Sequence, residues 1–98
     1  MIRVGINGAA GRMGQLLCAR AIAHPEFKLS GATDMPGFVG KDAGELVGLG
    51  PIGLPIEGLS SSAFEHCDVI IDFSLPEGTT ALIPILEGQA LVIGTTGL

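Results

Sequence analysis

An α/β fold built on an open, doubly wound parallel sheet is what this sequence predicts, and three observations carry that reading. A β-branched run, Ile2 to Ile6, enters a glycine-rich turn and then a segment from Gln15 to His24 without Gly or Pro. Two later apolar runs, Val69 to Phe73 and Leu91 to Ile93, have strand length and bear few polar interruptions, as strands buried on both faces do. The composition, 47% hydrophobic with 16 Gly and neither Trp nor Tyr, suits small and aliphatic side chains packed around such strands. A length of 98 residues fits one compact unit.

Taken in order, Ile2, Val4 and Ile6 alternate with Arg3 and Gly5, which makes the first segment a central strand delivering the chain into Asn7-Gly8. The turn Gly8 to Gly14 (GAAGRMG) follows a G-x-x-G-x-x-G pattern. That spacing alone is a weak signal, but between a strand and a helix start it becomes a dinucleotide fingerprint. Glycine permits a turn with positive φ, its missing Cβ lets backbone approach a pyrophosphate, and a small residue allows close packing of helix on strand. The helix N-terminus adds unpaired N–H groups and partial positive charge, and Arg12 stands where a phosphate would be met. The helix is expected over Arg12 to Ala23, with Met13, Leu16 and Leu17 at i, i+3, i+4, ending at His24 before Pro25.

A second strand, about Lys28 to Thr33, ends in Asp34, which lies 20 residues beyond Gly14. A carboxylate at that point can accept hydrogen bonds from both adenosine ribose hydroxyls and repel a 2′-phosphate. The plainer alternative is that Asp34 opens the turn Asp34-Met35-Pro36-Gly37. From Met35 to Gly58 the chain holds seven Gly and three Pro and reads as an irregular insertion, apart from a short helix at Asp42 to Val47. Ile52 to Ile56 is expected as a short edge strand, because Pro55 cannot donate to a central ladder. Ser60, Ser61 or Ser62 would cap a brief helix through Glu65 and His66; His24 and His66 are expected to be exposed and to ligate nothing.

Val69 to Phe73 continues the sheet. Ser74 and Glu77 then have capping-box spacing ahead of the apolar segment Ala81 to Leu86, which Pro84 should kink or shorten. The last strand runs into Gly94-Thr95-Thr96-Gly97, at the carboxyl edge of the sheet, where open α/β folds place ligand-contacting groups. A crossover helix should come next, so the chain is read as a truncated Rossmann-like domain.

The charge balance excludes several classes of function. Five Lys and Arg against 10 Asp and Glu give a formal charge of −5 with no basic cluster, so nucleic acid is not an expected partner. Cys18 and Cys67 form neither a C-x-x-C nor a zinc pattern and read as small buried hydrophobes in a reducing compartment; no metal site is expected. Neither a signal peptide nor an apolar run near membrane-spanning length is present, which makes the cytoplasm the default location and a membrane no partner.

Four motifs, Ile2 to Gly14 (IRVGINGAAGRMG), Asp42 to Leu46 (DAGEL), Asp72 to Thr79 (DFSLPEGT) and Val92 to Gly97 (VIGTTG), together resemble the amino-terminal part of the 4-hydroxy-tetrahydrodipicolinate reductases, also called dihydrodipicolinate reductases. The resemblance implies a dinucleotide-binding domain over residues 1–98. It further implies a carboxyl-terminal domain that binds the small-molecule substrate and assembles a homotetramer, and an NAD(P)H-dependent reduction in lysine and diaminopimelate biosynthesis. Carried over, it implies that Gly8, Ala9, Ala10, Gly11, Arg12 and Met13 hold the pyrophosphate and that Asp34 takes the adenosine ribose. Gly94, Thr95 and Thr96 would approach the nicotinamide, with Phe73 and Ser74 lining the same cleft. Family members that use NADPH well often carry an arginine directly after the ribose acid; Met35 here favours NADH, with NADPH still possible through Arg12. The family's substrate-binding and proton-donating histidine and lysine motif has no counterpart up to Leu98, so no catalytic residue is assigned and the chain alone is expected to be inactive. Competing readings are another dehydrogenase of similar topology and a non-catalytic NAD(H)-binding module.

Overall fold

The computed structural model describes residues 1–94. Four parallel strands, β1 (Ile2–Asn7), β2 (Phe27–Thr33), β3 (Val69–Asp72) and β4 (Ala90–Ile93), form one sheet in the order β2-β1-β3-β4. Connections leave β1 toward β2 on one side, and the chain later returns to β3 on the other. The strand order therefore reverses between β1 and β3, the switch point at which open α/β sheets bind ligands. The helices are α1 (Arg12–Ala23), the single-turn α2 (Ala43–Leu46) and α3 (Pro76–Leu82).

Alternation along the strands divides the core between the two faces of the sheet. Val4 and Ile6 of β1 and Leu29 and Ala32 of β2 pack with Cys18 and Ala21 of α1, Ala43 of α2 and Ile56. Ile70 of β3 faces the other way and joins Phe64, Cys67 and Leu82. Between those layers, Gly5 and Gly31 are register partners. A Cβ on Gly5 would lie 2.6 Å from the Phe64 ring, and one on Gly31 would lie 2.9 Å from it. Paired glycines thus make a flat floor on which a fully buried Phe64 rests. Both cysteines are free and buried, and burial pushes each thiol up to about 11, so neither is a thiolate at neutral pH.

Most expected elements are present, with three corrections. Helix α1 has the expected bounds, but its buried face is Gly14, Cys18 and Ala21, while Met13 and Leu16 are exposed. Small residues win that face because they let the helix approach the sheet closely: a Cβ on Gly14 would collide with the Gly8 carbonyl oxygen. Ile52 to Ile56 is not a strand; single bridges at Asp42–Pro55 and Thr33–Glu57 replace it. Gly53 has φ +76° and Pro55 has no N–H, and the Ile52, Gly53 and Leu54 N–H groups all go to the Asp42 carboxylate rather than to a ladder.

The third correction is the capping box. Helix α3 starts at Pro76 with Leu75 in the capping position and no side-chain cap. The Ser74 hydroxyl instead donates to Asp72 Oδ1 at 2.7 Å. Pro84 acts as expected: α3 ends at Leu82 and Ile83–Ile85 continues as a 3₁₀ turn. The Ser60 to Ser62 segment also forms only a 3₁₀ turn, Ser62–Phe64, with Ala63 N–H donating to Ser60 Oγ. No helix among the described residues is long and apolar enough to cross a membrane, and no group of three or more potential metal ligands lies together there.

Candidate functional site

The carboxyl ends of β1, β2 and β3 open into a cleft of about 730 Å³ lined by Asn7, Gly8, Ala10, Gly11, Asp34, Met35, Phe38, Leu59, Phe73, Ser74, Leu75, Glu77 and Gly78. Residues separated by up to 71 positions meet there because the three strands are parallel and end at one edge.

The glycine turn is fixed by the strand beside it. Gly8 has φ +86°, and a Cβ on it would strike the Phe73 carbonyl oxygen. The N–H groups of Gly8 and Ala9 both donate to Thr33 O, at 2.9 and 3.1 Å. Gly11 N–H closes the turn onto Gly8 O at 3.1 Å. The first bond of α1 runs from Gln15 N–H to Gly11 O, so the N–H groups of Arg12, Met13 and Gly14 precede the helical ladder.

Gly11 is the informative glycine. A Cβ there would meet nothing nearer than Gly8 O at 3.4 Å, an ordinary contact, and its backbone (φ −72°, ψ 170°) is open to any residue. The protein itself does not require a glycine at that position. Gly11 is exposed on the cleft wall, where a missing Cβ leaves its backbone approachable.

Asp34 lines the same cleft as Phe73. Its Oδ2 accepts the Ala10 N–H and its Oδ1 the Met35 N–H, both at 2.7 Å. A carboxylate offers about four lone-pair sites, so two bonds leave it room for about two further donors. A ribose presents two hydroxyls.

Beneath the cleft lies a buried polar network that sequence reading did not find. Thr33 Oγ1 donates to Asn7 Oδ1 at 2.7 Å, and Asn7 Nδ2 donates to Asp72 Oδ1 at 3.0 Å. Asp72 Oδ1 also accepts from Ser74, and Oδ2 accepts from Thr79. Asn7, Thr33, Asp72 and Thr79 are all buried. One network therefore ties the ends of β2, β1 and β3 to the first turns of α3. The signal is present in outline, since β1, β2 and β3 each end in a polar residue, but its meaning depends on the strand order.

Of the residues singled out from sequence, Gly8, Ala10, Gly11, Asp34, Phe73 and Ser74 line the cleft. Ala9 is fully buried and shapes the turn from within the core. Arg12 and Met13 are exposed on the first turn of α1, outside the cleft lining. Gly94 adjoins Phe73 so closely that any Cβ would enter the ring, and its N–H donates to Asp72 O at 2.8 Å. Thr95 and Thr96 lie outside the described residues. His24 and His66 are exposed, as expected, and neither lines the cleft.

The model of the family described as "Dihydrodipicolinate reductase, N-terminus" matches residues 2–98. The chain belongs to that family. It is 50% identical to the 4-hydroxy-tetrahydrodipicolinate reductase of Methylococcus capsulatus, an alignment covering 99% of this chain and 38% of the relative. The reductase of Alkalilimnicola ehrlichii is 47% identical over 98% of this chain and 38% of its own length. The chain thus spans less than two-fifths of these relatives. Among solved structures, the aspartate semialdehyde dehydrogenase of Candida albicans, crystallised with NADP, superposes with a TM-score of 0.77 at 17% identity, covering 98% of this chain and 30% of that one. At that identity the likeness is one of fold: a Rossmann-like parallel sheet. The dihydrodipicolinate reductase family membership rests on the sequence match.

Proposed function

We propose that the chain is the cofactor-binding part of an NAD(P)H-dependent 4-hydroxy-tetrahydrodipicolinate reductase acting in lysine and diaminopimelate biosynthesis. The observation that carries the reading is the cleft at the β1/β3 switch point, walled by a glycine turn whose Gly11 the fold does not need and by Asp34 with acceptor capacity to spare. Relatives at 47–50% identity named as this reductase support it. The structure of a fold relative crystallised with NADP agrees with the cofactor class.

In this reading the first-turn N–H groups of α1 receive the pyrophosphate, and Asp34 takes the adenosine ribose. Met35, Phe38 and Leu59 supply apolar lining to the same cleft. Phe73 follows β3 and lines the cleft there, its ring packed so closely on Gly94 that no side chain would fit between them. The Asn7–Asp72 network ties the end of β3 that precedes it to the end of β1. A bound nicotinamide nucleotide would supply the hydride; the protein's share is to hold and orient it. The substrate-binding and acid–base groups belong to the part of the relatives' length that this chain does not match, together with the contacts of a homotetramer.

NADH is the preferred cofactor in this proposal. The carboxylate of Asp34 disfavours a 2′-phosphate, and the neighbouring exposed residue is Met35 rather than a cation. Calorimetric titration of NADH into the 98-residue chain should give micromolar affinity at best, with NADPH weaker. Absence of saturable binding of either nucleotide at millimolar concentration overturns the reading. NADH-dependent tetrahydrodipicolinate formation by the chain alone would overturn the assignment of the catalytic groups elsewhere.

A further inference from the structure

We propose that Asp34 and Gln15 are positioning residues that clamp the Ala10 peptide groups, and so hold the glycine turn in the shape that receives a pyrophosphate. This deepens the cofactor reading above and rests on it. Ala10 is tied from both sides by side chains. Its N–H donates to Asp34 Oδ2 at 2.7 Å, and its carbonyl oxygen accepts from Gln15 Nε2 at 2.8 Å. Asp34 is itself anchored: its own N–H donates to Glu57 O at 3.1 Å, and its Oδ1 is bound to Met35 N–H. Gln15 is held at its main chain, since it sits on α1 and its N–H makes the first helical bond.

The clamp has an electrostatic consequence. Ala10 and Gly11 line the cleft, so an unrestrained Ala10 carbonyl could turn its oxygen toward an anion there. Gln15 holds that oxygen on the helix side. Asp34 in turn takes the Ala10 N–H out of the set of donors available to a phosphate, leaving the anion to the first turn of α1. One carboxylate thus performs two tasks of opposite electrostatic sign. It repels a 2′-phosphate at the ribose, yet it promotes pyrophosphate binding through the shape of the turn.

That opposition makes the proposal testable. Removing a negative charge beside an anion site strengthens anion binding by Coulomb attraction alone, whereas loss of the clamp weakens it. NADH and inorganic pyrophosphate are titrated into the wild-type chain and into the Asp34→Ala, Asp34→Asn and Gln15→Met variants. Asp34→Ala is expected to lower pyrophosphate affinity several-fold. Asp34→Asn keeps a carbonyl acceptor for the Ala10 N–H while removing the charge, and should restore pyrophosphate affinity to the wild-type level or above. Gln15→Met changes no charge and leaves the turn sequence intact, so its expected several-fold loss reports the clamp alone. Pyrophosphate binding by Asp34→Ala as tight as or tighter than wild type overturns the proposal, as does an unchanged affinity in Gln15→Met. If the wild-type chain binds NADH but not pyrophosphate, the clamp is overturned while the cofactor reading stands. If it binds neither, both fall.

Discussion

Two glycine-rich segments of this chain are each organised by one aspartate, and the two aspartates are used differently. Asp42 accepts five backbone N–H groups, from Gly44, Glu45, Ile52, Gly53 and Leu54, and so exhausts its lone pairs on the segment between β2 and the Ser62–Phe64 turn. Asp34 accepts two. The glycines differ in the same way. Gly48, Gly50 and Gly53 have positive φ and open space around them, so they serve the course of a loop. Gly8 and Gly14 are pressed against backbone, and Gly11 faces the cleft. A carboxylate saturated by its own chain marks a structural hub; one left half-used at a cleft has acceptor capacity to offer, which is the role proposed for Asp34.

The largest expected effect is on the fold at Gly14. Gly14→Ala forces a methyl into the Gly8 carbonyl and should destabilise the chain by about 1–3 kcal/mol or more, measured by urea denaturation. Gly11→Ala is the contrasting variant. It should change stability by less than about 1 kcal/mol, the cost of Ala replacing Gly at a helix N-cap where the added methyl meets no clash, yet lose most NADH affinity. Equal stability losses in the two would remove the distinction between packing and ligand-facing glycines.

Asp42→Ala should lower the thermal unfolding midpoint clearly and make the segment between Met35 and Gly58 sensitive to protease, without first affecting β1. Its pH dependence has a definite sign. Desolvation pushes the Asp42 carboxyl up, but the backbone bonds from Glu45, Ile52, Leu54 and Gly44 outweigh it and hold the folded carboxyl below its ordinary value. Stability from this group is therefore present above the ordinary carboxylate value of about 3.9 and is lost as pH falls through the lower folded value. The gap in midpoint between wild type and Asp42→Ala should be steady near neutrality and close in acid. A gap that widens in acid would contradict the hub. The smallest expected effect is at Met35→Arg, where a cation placed beside the ribose acid should raise the NADPH-to-NADH affinity ratio about tenfold with little change in stability, read by competitive nucleotide titration.

Much of this is legible in the sequence. The bounds of α1 followed from the glycine turn and from Pro25, and β3 followed from an unbroken apolar run; the interruption at Pro84 followed from its missing N–H. The buried face of α1 was misread because Met13 and Leu16 look like a core stripe, whereas backbone proximity selected Gly14, Cys18 and Ala21. Ser74 and Glu77 looked like a capping box because local spacing was right. The hydroxyl had a better acceptor in Asp72, a buried carboxylate whose other donors are Thr79 on α3 and Asn7 at the end of β1.

The amino-acid sequence by itself determined the order of elements, the glycine fingerprint, its partner Asp34 and the family. These are local patterns, set by backbone freedom and periodicity within a few residues. Only the tertiary structure decided that Gly5 and Gly31 form the floor for Phe64, that Asn7, Thr33 and Asp72 join beneath the cleft, and that Asp34 reaches the Ala10 N–H. Those arrangements depend on which strands lie side by side. In a parallel sheet every neighbour comes from a distant part of the chain, so no local spacing encodes them.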